Sequence, residues 1–149
     1  MQIIDGKKLA IEIKQELARK TVEIIDSGRR APHLAAIIVG DDPASDSYVR
    51  GKEKACREVG FTSSVYRLAA DATEQKLMEI VDFLNNDDDV DGFIVQLPMP
   101  EHLSVDKVIS RIKPEKDVDG FHPVNIGRMV LGSPAFISAT PLGIITMLD

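Results

Sequence analysis

The sequence predicts an α/β domain on a mainly parallel sheet, and three observations carry that reading. Residues 34–39, 61–68 and 92–97 are short apolar runs, long enough for buried strands and too short for helices. Around them, apolar residues recur at three- and four-residue steps, the spacing of helices with one covered face. The two patterns alternate at the spacing of βαβ units, which implies parallel pairing and right-handed crossovers.

Taken in order, Gln2-Ile3-Ile4 opens the chain and Asp5 is placed to cap a helix running to about Ser27. Gly28 stops that helix, whose apolar ridge is Leu9, Ile13, Leu17 and Ile24. Arg29-Arg30-Ala31-Pro32 leads into the first strand. Asp42-Pro43 then begins the next helix, with Asp as N-cap and Pro at the first position, where its missing N–H costs nothing. Tyr48, Lys52, Ala55, Cys56 and Val59 share one face of it, the face a helix ordinarily buries. Gly51 lies inside this helix at a cost of about 1 kcal/mol relative to alanine, which suggests close approach of something to the backbone.

The second strand is rich in β-branched and aromatic residues. Asp71-Ala-Thr-Glu74 has capping-box spacing ahead of a stripe formed by Leu77, Ile80, Val81 and Leu84. Residues 85–89 read as an acidic, solvated turn. The third strand closes at Pro98 and Pro100, and Ser104 caps a helix with Val105, Val108, Ile109 and Ile112 on its stripe. Residues 113–123 form a loop too rich in Pro, Gly and charge to be a mere connector. Thr140-Pro141 starts another helix with Leu142, Ile145 and Leu148 on one stripe, reaching Asp149 without a Gly or Asn cap. That pattern suggests a domain cut from a longer protein.

Composition narrows the function classes. The 149 residues suffice for one domain with a real core, and 44% hydrophobic with 28% charged content is ordinary for a globular protein. With 18 basic and 24 acidic residues, a formal charge of −6 and no basic run, the chain lacks the cationic footprint of nucleic-acid binding. Charges interrupt every apolar run near the N-terminus, so it reads as neither signal peptide nor membrane span. Cys56 is the single cysteine, which excludes an internal disulfide and a Cys-x-x-Cys metal site and fits a reducing, cytoplasmic setting. No G-x-G-x-x-G, P-loop or G-x-S-x-G motif occurs, so no dinucleotide or nucleotide phosphate cradle is written in these residues.

In parallel α/β folds ligands bind beyond the carboxyl ends of the strands. Tyr48 and Lys52 follow the first strand and Gln96 ends the third, so the three belong at one end of the sheet. Two readings of Lys52 stand: an amphipathic stem reaching water, or a half-buried amine whose pKa is lowered by desolvation for acid–base work. Gln96 is likewise either a strand-end amide facing water or a site residue. In the 113–123 loop, two aspartates and a glycine lack the remaining ligands of a calcium loop. Asp119 is suited to accepting paired hydrogen bonds from an amino-heterocycle, whereas Asp117 reads as a turn cap and His122 as less specific. His33 and His102 show no partner and no metal constellation.

Three stretches then carry a resemblance. Tyr48-Val-x-x-Lys52-x-Lys54-Ala-Cys56 after VGDDPAS is one, and Val95-Gln-Leu-Pro-Met-Pro100 is the second. Pro114-x-Lys-Asp-Val-Asp-Gly-Phe-His-Pro123 with Asn125-x-Gly-Arg128 is the third. Together they resemble the bifunctional methylenetetrahydrofolate dehydrogenase/methenyltetrahydrofolate cyclohydrolase family, over essentially the whole chain.

The resemblance implies a three-layer α/β/α sandwich that handles tetrahydrofolate derivatives in one-carbon metabolism. It implies Lys52 as general acid/base, Gln96 as the amide that orients it, and Tyr48 as the ring stacked along the folate. Asp119 would hold the pterin, with Pro98 and Thr140 also on the substrate. Residues 1–139 correspond to the folate-binding catalytic domain and 140–149 to the start of a helix leading to a Rossmann-type NADP domain absent from this stretch. The parent is then an NADP-dependent homodimer without a metal, and the isolated chain is either weakly competent for methenyl hydrolysis or a folate-binding module alone. Ser138-Ala139 stand where the family usually carries Pro-Cys.

Overall fold

The computed structural model describes residues 4–148, so Gln2, Ile3 and Asp149 lie outside the described residues. The elements, in order, are α1 (Gly6–Asp26), β1 (His33–Val39), α2 (Pro43–Glu58), β2 (Thr62–Leu68), α3 (Glu74–Asn86), β3 (Gly92–Val95), α4 (Val105–Arg111), α5 (Pro123–Val130) and α6 (Ala139–Leu148). The three strands form a parallel sheet in the order β2-β1-β3, with Ala36 opposite Val65 on one side and Ile94 on the other.

The sheet is the middle of three layers. Ala35, Ile37, Val39, Phe93 and Val95 pack on Leu77, Val81 and Leu84 of α3 and Val108 of α4. Ala36, Ile38 and Ile94 pack on Val49 of α2 from the other side. Burial on both faces is why β1 and β3 read as continuous apolar runs instead of alternating ones. The expected α/β architecture is therefore the observed one.

Several local expectations are corrected. The ridge on α1 is not a core: Ile13 and Leu17 are 41% and 37% exposed, and the buried residue of that helix is Thr21. Helix α1 lies outside α2, joined to it by the Lys14–Glu58 ion pair at 2.7 Å, with Thr21 against Gly60, so most of its ridge has no second layer to cover it. The cap of α3 is Thr73, not Asp71; Thr73 Oγ1 accepts from Lys76 N at 3.2 Å. Glu74 does not close a capping box because its carboxylate is taken by Lys107 Nζ at 2.8 Å and Ser104 N at 3.3 Å, which ties α3 to α4. Asn85 and Asn86 belong to α3 and not to the acidic turn. Asn85 is buried, donating to Arg111 O and accepting from Lys113 N, both at 2.8 Å.

Candidate functional site

Local chemistry at the end of β1 builds the first wall. Gly40 takes φ +91°, which an L side chain resists, and turns the chain out of the strand. Asp42 Oδ2 accepts from Ser45 N at 2.7 Å, and Pro43 opens α2. That hydrogen bond from the Ser45 backbone holds the Asp42 carboxyl below the usual carboxylate range. Helix α2 starts at this end of the sheet, and the Lys52 side chain on it reaches the residue that follows β3.

Lys52 is half-buried, and its Nζ donates to Gln96 Oε1 at a long 3.4 Å. Gln96 continues the ladder past β3, donating from its backbone N to Ile37 O at 2.9 Å. Its Nε2 donates to Leu97 O at 2.7 Å, which leaves Oε1 as the atom facing the lysine. The Leu97–Pro98 peptide is cis. Asp119 comes to the same end of the sheet from the 113–122 loop. Burial pushes its carboxyl up from the ordinary range; the Lys52 ammonium opposes the rise and the charge of Asp117 adds to it. Beside this group a narrow crevice runs along Phe93, Leu97, Met99, Ile109, Asp119 and Phe121.

The structure thus brings Lys52, Gln96, Pro98 and Asp119 to one end of the sheet, and it leaves the side chains of Tyr48, one turn before Lys52 on α2, and Thr140 open to solvent. Tyr48 is 67% exposed, because Ser45, Val49 and Cys56 make the buried face of α2, with the capping Val59 buried behind them. Residues 48 and 49 lie 100° apart on a helix, and Val49 is the one that meets Ile38 and Ile94. Thr140 is exposed on α6. Its stretch reaches the site region through the 136–138 backbone, where a Cβ built at Gly120 would come within 2.7 Å of Ser138 N. Gly51 marks no close approach, since a Cβ there meets nothing within 4 Å.

Other expectations also acquire partners. The His33 ring lies between Thr62 Oγ1 at 2.8 Å and Ser64 Oγ at 2.9 Å, and His102 Nε2 is 2.8 Å from Ala72 O. His122 caps α5, its Nδ1 accepting from Val124 N at 3.1 Å. Cys56 is buried and free, and that burial pushes its thiol up. Among the described residues no group of His, Cys, Asp or Glu is placed to hold a metal, and no helix is long and apolar enough to cross a membrane. Sequence reasoning gave Asn125 no role, yet this amide is 1% exposed and bonded to Asp117. Its signals in the sequence are its place in the Asn125-x-Gly-Arg128 motif and its position two residues after Pro123, inside the first turn of a helix.

Comparisons with known proteins bear on the family and the fold. Residues 4–119 match a family model described as tetrahydrofolate dehydrogenase/cyclohydrolase, catalytic domain. The chain is 55% identical over 148 residues to the Bifunctional protein FolD of Bacteroides thetaiotaomicron, covering 99% of this chain and 50% of that one. It is 52% identical over 147 residues to the protein of the same name from Porphyromonas gingivalis, with the same coverage. The crystal structure of the bifunctional enzyme FolD, methylenetetrahydrofolate dehydrogenase/cyclohydrolase, from Campylobacter jejuni superimposes with a TM-score of 0.96 at 44% identity, covering 99% of this chain and 52% of that one. The Trypanosoma brucei enzyme, complexed with NADP cofactor and inhibitor, gives a TM-score of 0.93 at 33% identity, covering 99% and 50%. The chain spans about half the length of the curated relatives it matches.

Proposed function

Since the chain belongs to the tetrahydrofolate dehydrogenase/cyclohydrolase family, we propose that it supplies the folate-binding, proton-transferring half of a bifunctional enzyme. That enzyme oxidises 5,10-methylenetetrahydrofolate to the 5,10-methenyl form and hydrolyses the latter to 10-formyltetrahydrofolate. The observation that carries the reading is the Lys52–Gln96 contact at the carboxyl end of the sheet, with the Asp119 carboxyl in its field.

Hydrolysis at the methenyl carbon needs three proton transfers. A water loses a proton as its oxygen bonds to that carbon, a ring nitrogen gains one as its C–N bond breaks, and the remaining O–H proton leaves to solvent as the formyl C=O forms, for a net release of one proton. Lys52 Nζ is placed to serve the first two in turn, accepting the proton of the attacking water and returning one to the ring nitrogen. Gln96 holds that amine, because its Nε2 is fixed on Leu97 O and its Oε1 is left to orient Nζ. Asp119 accepts paired hydrogen bonds from the pterin amino group and the adjacent ring N–H. The open ring of Tyr48 stacks along the folate, with Pro98 and Thr140 on the same ligand.

NADP is the expected oxidant for the other step, and these residues do not fit it. The β1–α2 turn is Gly40-Asp41-Asp42-Pro43, and Asp42 occupies the free N–H groups where a pyrophosphate needs open donors. Hydride transfer therefore falls to none of these side chains. Helix α6 has no buried residue, which supports reading residues 140–149 as the lead into a further domain. The free, buried Cys56 suits a cytoplasmic setting, and we read the parent as a homodimer by analogy with its family.

The test is methenyltetrahydrofolate hydrolysis by the 149-residue chain beside Lys52→Ala, with no nicotinamide present. We expect the variant to lose roughly 10²–10⁴-fold in rate while still binding folate. Equal rates in both proteins overturn the assignment of Lys52. A second reading, a folate-binding module without turnover, is favoured by the 67% exposure of Tyr48, which leaves the outer wall of the site open. Folate binding by both proteins with turnover by neither selects it.

A further inference from the structure

We propose that Asp117 is a positioning residue for the candidate folate site: its buried carboxylate fixes the turn that presents Asp119, and it acts on the ligand only through that neighbour. The inference rests on the folate role of Asp119 given above.

The two aspartates stand two residues apart and differ in what they are bonded to. Asp117 is 2% exposed and its carboxylate is fully engaged. Oδ2 accepts from His122 N at 2.8 Å and from Asn125 Nδ2 at 2.9 Å, and Oδ1 accepts from Phe121 N at 3.3 Å. Among the described residues the Asp119 carboxylate receives no hydrogen bond, so its acceptor sites are free for a ligand. One carboxylate organises the loop and the other is offered outward.

The connection between them is covalent and tight. Gly120 N donates to Asp117 O at 3.2 Å, closing a turn in which Val118 and Asp119 are the two central residues. The side chain of Asp117 then reaches over that turn to the next two backbone N–H groups, so both ends of the turn are held by one residue. Its flanks are fixed as well. Val118 lies on β3, where its Cγ1 occupies the space that a Cβ at Gly92 would fill. Gly120 takes φ +69° against the 136–138 backbone. Asn125 Nδ2 also donates to Pro114 O at 2.8 Å, which fastens the first turn of α5 to the start of the loop. Displacing the Asp117 carboxylate therefore releases the turn at the residue that faces Lys52.

Three N–H donors converge on this carboxylate, so an amide is a poorer partner for them. Asparagine keeps one acceptor oxygen and sets its NH2 against at least one of the donors. Asp117→Asn conserves shape and weakens the hold, because with its oxygen kept on His122 N and Asn125 Nδ2 its NH2 is set against Phe121 N.

The experiment compares Asp117→Asn, Asp119→Ala and the double variant in the 149-residue chain. It reads tetrahydrofolate Kd, the KM and kcat of methenyl hydrolysis, and thermal melting as a check on folding. Asp117→Asn is expected to raise Kd and KM roughly ten- to a hundredfold, with kcat much less affected. In the Asp119→Ala background it is expected to add almost nothing, because the two act as one unit. A wild-type Kd in Asp117→Asn beside a weakened Asp119→Ala overturns the positioning role alone, and so do fully additive effects. Asp119→Ala binding as tightly as the wild type overturns the folate role and the inference with it. Should Asp117→Asn fail to fold, Asn125→Ala removes one donor and leaves the carboxylate, and the same lack of additivity with Asp119→Ala is expected.

Discussion

The interior of the sheet and helix α6 carry similar side chains and meet opposite fates. Ala35, Ile37 and Phe93 are 0% exposed, whereas Ile144, Ile145 and Leu148 are 51%, 57% and 68% exposed. What separates them is neighbours. Strand β1 has a strand on each side and a layer of helices on each face, while α6 meets the start of α1, where a Cβ built at Gly6 would be 3.0 Å from Met147 Sδ. Apolar content sets how much a segment can gain from burial, at about 25 cal/mol per Å², and the topology decides whether it gains it. The same contrast runs across a single helix at the site, where Val49 is buried and Tyr48, next to it, is open.

Breaking the comparison at its strong side has the largest expected effect. Phe93→Ala is expected to cost about 3–5 kcal/mol in urea or thermal unfolding, because its ring is fully enclosed in the main core cluster. A loss under about 1 kcal/mol would mean that the sheet interior is far looser than its burial indicates.

An intermediate effect is expected at the site, between the two extremes. Burial raises the Asp119 carboxyl above its ordinary value, so the folded chain holds that proton more tightly than the unfolded chain does. The stabilisation is full below the unfolded value near 4 and is lost as pH rises through the folded one. Asp119→Asn removes the ionisation, so this variant is expected to melt higher than the wild type at neutral pH. The gap should close as the pH falls below the ordinary aspartate value. Melting curves across that range check it, and a pH-independent gap sinks the idea.

The smallest effect belongs to α6. Ile145→Ser changes a side chain already 57% exposed, and the unfolding free energy is expected to move by no more than about 0.5 kcal/mol. A much larger loss would show that α6 is buried in solution, by self-association for instance, which light scattering on the same samples would detect.

Much of the fold was legible because its signals are local. The continuous runs of β1 and β3, the caps at Asp5, Asp42 and Ser104, and the stripe of α3 each lie within one element, and each forms where the pattern places it. At the site, the rule that ligands gather beyond the carboxyl ends of parallel strands put Lys52 and Gln96 together across 44 residues of chain. Less was legible where rotation or distant partners decide. Nothing in the spacing of α2 says that Val49 rather than Tyr48 faces the sheet. Thr73, not Asp71, caps α3, and the Glu74 carboxylate goes to Lys107, thirty-three residues away.

By itself, then, the sequence determined the α/β class, the alternation of three strands with helices as far as α4, and the presence of a lysine and an amide at one sheet end, while α5 was not legible there. The first two follow from periodicity and capping, the third from the rule that ligands gather beyond the carboxyl ends of parallel strands. Only the tertiary structure decided which apolar faces are covered and which carboxylate of the Asp117–Asp119 pair is bonded and which is free. Burial and hydrogen bonding are contacts between segments far apart in the chain, and their energies exist only once the layers have closed.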